Sequence, residues 1–439
     1  MQPMYMNQNP NKCTCGKVHE CALDRLVIGK NALSELPKII KKFGLTRVFL
    51  LADVNTYAAA GKQTEELLSR EGITCAKYVF PHSPEPDEVA VGAAIMHFDP
   101  SCDLVLAVGS GVIGDISKVV AYASGAEYMI VATAPSMDGY ASSTSSMTRG
   151  GLKISIPTKC ARVIIGDTDI LKNAPMDMLI SGLGDMLAKY ISIAEWRISH
   201  IVTGEYYCAE VAALIRDALK KCVENADGLL VREDAAVETV FYGLVTTGAA
   251  MNYAGVSRPA SGIEHYFSHI WDMRGIEFGD KTSTHGIQCA VATLIAARLY
   301  EWLQKITPDR EKALAFAQNF DRKAWFDELA AFLGEGARSM IAQDEIEQKY
   351  APDRHENRLS VILENWNEII GIIQAEIPPA KDVENILERI GCPISVEAWG
   401  GSKSMLPEVF KATKDIRDKY VLSRLSYDLG VINEIIKEI

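Results

Sequence analysis

Several side chains suited to binding a metal ion occur in the middle of the chain. His265 and His269, in IEHYFSHIW, are four positions apart and therefore lie on one face of a helix. His285 opens another helical segment after the polar loop DKTSTHG, and Asp185 stands early in the apolar segment GLGDMLAKY. Asp185, His285 and one of the first two histidines would supply three nitrogen and oxygen ligands and leave open positions for a substrate. This pattern predicts a catalytic metal site.

Each of these residues also has a purely structural interpretation. Helical histidines in a globular protein often only pack or hydrogen-bond to the backbone. Asp185 is equally suited to a helix cap or to a buried ion pair with Lys189, four positions later. Spacing alone therefore leaves both interpretations open.

A glycine-rich turn follows the apolar run DLVLAV. The sequence GSGVIG places Gly109, Gly111 and Gly114 in the G-x-G-x-x-G pattern and opens a helical segment. Backbone N–H groups at such a helix start bind a pyrophosphate, and glycines permit its close approach. The turn follows a later strand than is usual, and the acid suited to the ribose, Asp53, lies upstream, where it favours NAD over NADP. The alternatives are a structural glycine turn and, for Asp53, a helix N-cap.

A cluster of soft ligands lies near the N-terminus, in NKCTCGKVHEC. Cys13, Cys15, His19 and Cys21 are suited to zinc, although the C-x-C spacing is tighter than usual and no partner knuckle is evident. The alternative is an exposed arm without a metal, over residues 1–22.

The elements that must position these residues alternate in type over the first third of the chain. Apolar runs of strand length are separated by helical segments, and the strands are LDRLVIG, RVFLLAD, ITCAKYVF, CDLVLAVG and EYMIVATA. Strands rich in Val, Ile and Leu with helices between them predict a parallel sheet covered on both faces. The irregular stretch APSMDGYASSTSSMTRGGLKISI follows, and we expect it to end in a small hairpin.

Long helical segments replace this alternation from about residue 170. We therefore expect three regions. They are a Cys-rich arm over residues 1–22, an α/β nucleotide-binding domain with a Rossmann-like parallel sheet over 23–168, and an all-α domain over 169–439 that binds metal and substrate.

Composition excludes several classes of protein. The net charge is -12 and the basic residues are dispersed, so no basic surface for nucleic acid is evident. No apolar run approaches the roughly 20 residues of a membrane span, and the N-terminus has no signal region. The 10 cysteines are widely spread, which is typical of reduced thiols rather than of a disulfide framework. We expect a cytoplasmic protein that binds neither nucleic acid nor a membrane.

Six motifs in chain order carry a resemblance to a known family. ADVNTY, GSGVIGDISK, TAPSMDGYASS, GLGDMLAK, SRPASGIEHYFSH and THG are similar to the motifs of the iron-containing alcohol dehydrogenase and dehydroquinate synthase superfamily. TAPSMDGYAS and SRPASGIEHYFSH most resemble its sn-glycerol-1-phosphate dehydrogenase branch, of the bacterial arabinose-operon type. The sequence departs from the family pattern at Val112 and Gly114, and the Cys-rich arm lies outside the shared motifs.

The resemblance assigns roles to individual residues. It implies that Asp185, His265 and His285 bind one divalent ion, zinc or nickel, and that NAD(H) or NADP(H) lies over the glycine turn. The implied cofactor-binding residues are Asp53, Gly109, Ser110, Gly111, Asp115, Thr133, Ser136 and Ser142. Asp138 and His269 are the implied catalytic residues, and the substrate would contact Asp138, Lys153, Arg258 and His269. For His269, a packing role remains the alternative.

The activity implied by the resemblance is the reversible reduction of dihydroxyacetone phosphate to sn-glycerol 1-phosphate, by a homodimer. Glycerol dehydrogenase and dehydroquinate synthase are the alternatives within the superfamily. The synthase normally has a glutamate where GLGD has an aspartate, and glycerol dehydrogenase lacks the extended SRPASGIEH sequence. A non-catalytic nucleotide-binding sensor is the alternative from another class, and it predicts an incomplete set of metal ligands.

Overall fold

The chain forms two compact units. The computed structural model describes residues 13–150 and 152–439, so residues 1–12 of the expected arm lie outside it. Unit 1 extends to Met186 and includes Ala213–Val256, whereas unit 2 comprises Leu187–Ala212 and Ser257–Ile439. The last strand ends at Asp167, close to the expected change at residue 168. The units nevertheless alternate along the chain, because a helix within the segment Ala213–Val256 packs on the sheet of unit 1.

Among the described residues, eight strands form two sheets. The strands are β1 (Arg25–Gly29), β2 (Arg47–Asp53), β3 (Thr74–Phe80), β4 (Leu104–Gly109), β5 (Glu127–Ala132), β6 (Thr144–Arg149), β7 (Leu152–Pro157) and β8 (Val163–Asp167). Six of them form a parallel sheet in the order β1-β8-β5-β4-β2-β3. The other two, β6 and β7, form an antiparallel hairpin. The expected parallel sheet and hairpin are both confirmed.

The order of the strands explains the position of the glycine turn. The chain continues from β2 to β3 on one side and from β4 to β5 on the other. Crossovers that diverge in this way leave a crevice outside the carboxyl ends of the two strands, where open α/β sheets bind ligands. Asp53 ends β2 and Gly109 ends β4, so both lie at this switch point.

One strand of the large sheet has no counterpart among the expected ones. β8 pairs with β1 on one side and with β5 on the other. Its apolar run is only Val163, Ile164 and Ile165, after which Gly166 and Asp167 follow. A run this short carries no periodicity, and only its burial between two strands identifies it as part of the sheet.

Helices cover the sheet of unit 1 and make up the rest of the described chain. The helices up to the end of the second segment of unit 1 are α1 (Leu36–Lys42), α2 (Val54–Thr56), α3 (Lys62–Arg70), α4 (Glu88–His97), α5 (Gly111–Ser124), α6 (Thr168–Leu171), α7 (Met176–Leu187), α8 (Lys189–Thr203), α9 (Ala209–Glu224), α10 (Ala226–Leu230) and α11 (Asp234–Ala254). Those that follow are α12 (Ile263–Phe278), α13 (His285–Leu303), α14 (Arg310–Gln318), α15 (Arg322–Leu333), α16 (Gly336–Glu347), α17 (Pro352–Glu364), α18 (Trp366–Glu376), α19 (Ala380–Arg389), α20 (Leu406–Thr413), α21 (Leu422–Asp428) and α22 (Ile432–Ile435). Within the described ranges, no helix combines the length and apolar character needed to cross a membrane.

Two glycines let helices of unit 1 approach the segment after β5. A Cβ atom built on Gly182 of α7 would lie 1.8 Å from the carbonyl oxygen of Pro135. A Cβ atom on Gly248 of α11 would lie 2.6 Å from the carbonyl oxygen of Asp138. Both contacts are with backbone, which cannot rotate away as a side chain does. The polar segment from Thr133 to Ser142 is therefore held between two helices at distances that only glycine allows.

We expect Gly182→Ala to destabilise unit 1 strongly, because its methyl group overlaps the Pro135 carbonyl. The matched control is Gly92→Ala in α4, where nothing lies within 4 Å of the added Cβ. That control should be neutral or stabilising by up to about 1 kcal/mol, since alanine is the better helix former. Thermal unfolding of both variants measures the difference. Equal stability of the two variants would contradict the close approach of α7.

Candidate active site

The glycine turn forms the start of α5. Ser110 is its N-cap residue, and its Oγ accepts a hydrogen bond of 2.6 Å from the Gly111 amide. A Cβ on Gly109 would lie 2.5 Å from the Cβ of Ile113, so the turn requires glycine there. Gly114 lies where α5 packs on β5, since an added Cβ would touch the Ile130 side chain at 3.4 Å. The glycines thus have the turn-forming and helix-packing roles of a dinucleotide-binding turn.

Asp53 caps the helix that follows β2. Its Oδ1 accepts hydrogen bonds from the amides of Asn55 and Thr56, both at 2.8 Å, and the Thr56 hydroxyl accepts one from the Asp53 amide. The alternative of a helix N-cap is therefore correct for Oδ1. Among the described residues no hydrogen bond to Oδ2 is present, which leaves this oxygen able to accept from a ribose hydroxyl.

The segment after β5 is tied to the glycine turn. The Thr133 amide donates to the carbonyl of Gly109 at 3.1 Å. The hydroxyls of Ser136 and Ser110 are 2.6 Å apart, and Thr133 and Ser136 are both buried. These contacts bring together three of the expected cofactor-binding residues at the carboxyl ends of β4 and β5.

Two residues expected to have different roles meet in unit 1. The backbone amide of Asp138 donates a hydrogen bond of 2.9 Å to Oδ2 of Asp185. Asp185 is fully buried in α7, and Asp138 is 8% exposed. A buried carboxylate is costly unless hydrogen bonds or charges compensate it, and this amide supplies one such bond. The orientation of Asp185 is thus coupled to the segment that carries Asp138.

A buried lysine that the motif analysis did not identify supports the same segment. Lys118 lies two turns into α5, and its Nζ donates to the carbonyls of Gly139 and Thr144 at 2.7 Å and 3.1 Å. It lies 3.4 Å from Oδ1 of Asp115. Burial raises the pKa of Asp115, although Lys118 opposes the rise. The signal was present in GDISK, where an acid and a lysine three apart stand on one face of a helix.

Two further predicted residues of unit 1 lie near the hairpin. The Ser142 hydroxyl is buried and 2.9 Å from the Thr144 hydroxyl at the start of β6. Lys153 is half-buried on β7, paired in register with Thr148. Among the described residues, no hydrogen bond joins either side chain to Asp53 or to the glycine turn.

In unit 2, His265 is positioned by a carboxylate. It lies in the first turn of α12, and its Nδ1 is 2.8 Å from Oε1 of Glu264, with both residues buried. A carboxylate at Nδ1 holds the proton there and turns Nε2 toward a metal ion, as in carboxylate–histidine–metal arrangements. The spacing of the histidines gives no indication of this role for Glu264, although the acid directly precedes His265.

His285 approaches His265 from the start of α13. The centroids of the two imidazole rings are 5.0 Å apart. The Nδ1 atom of His285 lies 3.0 Å from the Ser268 hydroxyl. Cys289, one turn further along α13, places its Sγ 3.6 Å from the Nε2 of His285. Ligand atoms of both histidines and Cys289 lie within 4.8 Å of one another, so the donor set fits a divalent ion such as zinc.

Cys289 is a further residue that sequence analysis missed. HGIQC has the His-x-x-x-Cys spacing, which puts both side chains on one face of a helix and is the signal that was available. Burial acts to raise the pKa of the Cys289 thiol, but the adjacent His265 and His285 lower it overall. A thiol near two imidazoles is a soft donor suited to the same ions.

His269, one turn after His265 on α12, also lies beside His285. Its ring stacks on that of His285 with a centroid distance of 6.2 Å and an interplanar angle of 22°. His269 is half-buried, whereas His265 is 5% exposed. The two histidines of the H-x-x-x-H spacing thus have different environments.

Two buried acids surround the start of α12. Glu195 of α8 accepts hydrogen bonds of 2.8 Å from the amides of Ile263 and Leu422. A Cβ on Gly262 would meet both Glu195 and Glu264 at 2.6–2.7 Å, so glycine leaves room for the two carboxyl groups. Burial raises the pKa of Glu195 to about 8, and Glu264 adds to the rise while Arg258 opposes it. The charged form of Glu195 is therefore disfavoured by its surroundings.

Arg258 is fully buried, whereas a loop arginine that binds a phosphate is expected to be accessible. Its Nε donates to Glu205 at 3.0 Å, and its Nη2 donates to the carbonyls of Tyr420 and Glu195. Its Nη1 has no hydrogen-bond partner among the described residues. Most of the guanidinium therefore has a structural role, and only Nη1 remains for an anion.

Several solved structures have a fold related to that of this chain. A 1,3-propanediol oxidoreductase aligns with a TM-score of 0.62 at 15% identity, covering 94% of this chain and 99% of that chain. Glycerol dehydrogenase from Schizosaccharomyces pombe aligns with a TM-score of 0.60 at 18% identity, covering 94% of this chain and 90% of that chain. At these identities the likeness establishes the fold, and the expected fold class is confirmed.

Sequence relatives identify the family. The profile of the family "Iron-containing alcohol dehydrogenase" matches residues 27–175. The chain is 28% identical to glycerol-1-phosphate dehydrogenase [NAD(P)+] of Halalkalibacterium halodurans, with 94% of each chain covered. It is 32% identical to that of Pyrococcus furiosus over 64% of this chain and 82% of the relative. The enzyme of Bacillus subtilis is 30% identical over 67% of this chain and 77% of the relative. The chain therefore belongs to the glycerol-1-phosphate dehydrogenase family of iron-containing alcohol dehydrogenases.

Proposed function

We propose that the protein catalyses the reversible reduction of dihydroxyacetone phosphate to sn-glycerol 1-phosphate, with NAD(H) or NADP(H) and one divalent metal ion. The observation that carries the proposal is the pair of converging histidines on α12 and α13, with Nδ1 of His265 held by Glu264. The substrate and the nicotinamide cofactor in this proposal are those indicated by the related glycerol-1-phosphate dehydrogenases [NAD(P)+].

Three residues are the proposed metal ligands. His265 and His285 bring two nitrogen donors together in unit 2, and Asp185, the buried acid near the end of α7, is the third ligand. Cys289 is close enough to the histidines to complete the set or to support it. When bound, a zinc or nickel ion at these residues would act as a Lewis acid toward the substrate carbonyl.

The other site residues act by binding and orientation. Ser110 and Gly111 present amides at the start of α5 to the pyrophosphate of the cofactor, and Asp53 accepts from its ribose. Thr133, Ser136 and Ser142 line the nicotinamide side. Asp115 supports this segment through the Ser146 amide, which donates to its Oδ2 at 3.2 Å.

On the substrate side, Asp138 orients the hydroxyl or carbonyl groups, and His269 lines the pocket and passes a proton to the developing alkoxide. Lys153 and the Nη1 group of Arg258 are the proposed cations for the phosphate. Lys153 is the more accessible of the two, because it is half-buried on a hairpin whereas Arg258 is fully buried.

We further propose a cytoplasmic homodimer that binds neither nucleic acid nor a membrane. No disulfide joins any of the cysteines within the described residues, which fits a reducing compartment. The net charge of -12 is unfavourable for binding to a polyanion.

The substrate assignment is tested by NADH oxidation in metal-loaded protein. We expect dihydroxyacetone phosphate to be reduced with a much higher kcat/KM than dihydroxyacetone, because only the former has a phosphate for the cationic side chains to bind. A preference for the unphosphorylated ketone would favour the glycerol dehydrogenase alternative. Failure to reduce either ketone would favour the nucleotide-binding sensor.

We expect His265→Ala to lose the catalytic ion and to reduce activity by about 10³-fold or more, since an ion contributes several kcal/mol to such a transition state. His269→Ala is the matched control, because it removes an imidazole of the same helix that faces His285 from one turn away. The control should keep the ion. Metal content and kcat/KM of both variants provide the measurement, and an ion retained in His265→Ala would remove that ligand from the proposal.

The preference for NADH is expected to depend on Asp53. Asp53→Ser keeps a helix-capping oxygen but removes the charge that repels a 2′-phosphate, so the NADPH to NADH ratio of kcat/KM should rise about tenfold, equivalent to ~1.4 kcal/mol. Asp87→Ser is the control, since Asp87 caps α4 through the Ala90 amide in the same way. An unchanged ratio in Asp53→Ser would exclude the ribose role.

A further inference from the structure

We propose that the N-terminal segment binds a second, structural zinc ion through Cys13, Cys15 and His19. Their donor atoms converge, with 3.1 Å between the two sulfurs, 3.2 Å from the Cys15 sulfur to Nε2 of His19 and 3.1 Å from that nitrogen to the Cys13 sulfur. Tetrahedral zinc has sulfurs at about 2.3 Å and nitrogen at about 2.0 Å, which puts neighbouring ligand atoms roughly 3.5–3.8 Å apart. Movements of well under 1 Å would therefore admit the ion.

The imidazole of His19 is oriented for this role. Its Nδ1 lies 2.8 Å from the carbonyl oxygen of Tyr253, near the end of α11, and the ring is 8% exposed. Because a carbonyl only accepts, the proton is on Nδ1, and Nε2 presents a lone pair to the two sulfurs. A second partner that fixes the tautomer is typical of histidines that bind metal.

The loop between the ligands is shaped like a metal-binding turn. Gly16 follows the second cysteine with φ at +78°, and its amide donates to the carbonyl of Cys13 at 3.4 Å. The Lys17 amide lies 3.4 Å from the Cys15 sulfur. An amide directed at sulfur stabilises the thiolate that zinc requires. Zinc binding here replaces the two thiol protons, which are released to solvent.

Cys21 does not belong to this site, in contrast to the cluster suggested by sequence. Its sulfur instead lies 3.6 Å from the amide nitrogen of Asn252. A hydrogen bond with Cys160 is the largest influence on Cys21 and lowers the pKa of its thiol to about 7 despite burial. The two cysteines of the C-x-C spacing therefore share His19 as the third ligand. The Cys21 sulfur lies beside Asn252 instead.

Zinc in structural sites is four-coordinate, so one more ligand is required. Cys13, Cys15 and His19 supply three of the four, and the fourth position is open to a further donor.

Metal content per chain tests the proposal. We expect two equivalents of metal in the wild-type enzyme, one at each proposed site, and one in Cys13→Ser/Cys15→Ser. The matched control is Cys21→Ser, which removes a thiol of the same segment and should keep both ions. His265→Ala should also fall to one equivalent, and the combination with Cys13→Ser/Cys15→Ser should fall to none. The two losses are independent, so failure of one site is distinguishable from failure of the other.

A cobalt measurement keeps the test decisive if the double variant does not fold. In metal-stripped Cys289→Ala protein, the remaining thiolates of a proposed metal site are those of Cys13 and Cys15. We expect Co²⁺ to produce thiolate-to-cobalt absorption in this protein, and Cys15→Ser alone to weaken it. Absence of that absorption, wild-type metal content in the double variant, or a Cys13–Cys15 disulfide in the native enzyme by mass spectrometry would overturn the proposal.

Discussion

The hydrogen bond from the Asp138 amide to the Asp185 carboxylate is the contact on which the site residues of unit 1 depend. It joins the segment after β5 to α7, and it forms only because Gly182 lets the helix reach the Pro135 carbonyl. The Ser181 hydroxyl adds a second bond, to the carbonyl of Ser136. One helical face therefore orients an acid and also fixes the loop that carries the hydroxyl groups expected around the nicotinamide. Positions of this kind tolerate little displacement, because a misplacement of about 1 Å lowers a rate by as much as ~10²-fold.

Unit 2 uses buried acids for a comparable purpose. Glu264 orients His265, and Glu195 binds the amide at the start of α12. Two carboxyl groups close together in a protein interior cannot both be charged at small cost, and burial together with the neighbouring Glu264 accordingly raises the pKa of Glu195. Arg258 supplies a balancing positive charge through a guanidinium that is held by backbone carbonyls. The charged and hydrogen-bonding groups around the His265 imidazole are therefore in place without a bound ligand.

The structural elements were predictable from the sequence where a pattern of residues has one physical meaning. The apolar runs that became β2 and β4 are buried throughout their lengths except at Arg47, and such runs between helical segments leave few options other than a parallel sheet. Prediction failed for β8, whose three apolar residues are too few to show a period. The H-x-x-x-H spacing could not say which histidine faces which partner, because that depends on the path of α13.

The roles of single charged or soft side chains were the least predictable. Arg258 beside a histidine motif suggests an anion ligand, yet its contacts with the carbonyls of Glu195 and Tyr420 come from segments far away in sequence. Cys21 belongs to a compact cysteine cluster in the sequence, but in the structure its sulfur contacts Asn252 of α11. In each case the deciding partner lies on an element that no local pattern connects to the residue. Burial and partner identity, rather than residue type, determine the role.

The pairing of β1 with β8 has a consequence for how the chain folds during synthesis. β1 cannot pair until β8, which ends at Asp167, has been synthesised. The last helix of unit 1, α11, ends only at Ala254. Residues Leu187–Ala212 of unit 2 emerge from the ribosome between these two events. Non-local parallel pairing is slow, because long loops must close before contacts compensate the lost entropy. Until β8 has been synthesised, the nascent chain therefore exposes an unpaired strand edge, which is a site of aggregation.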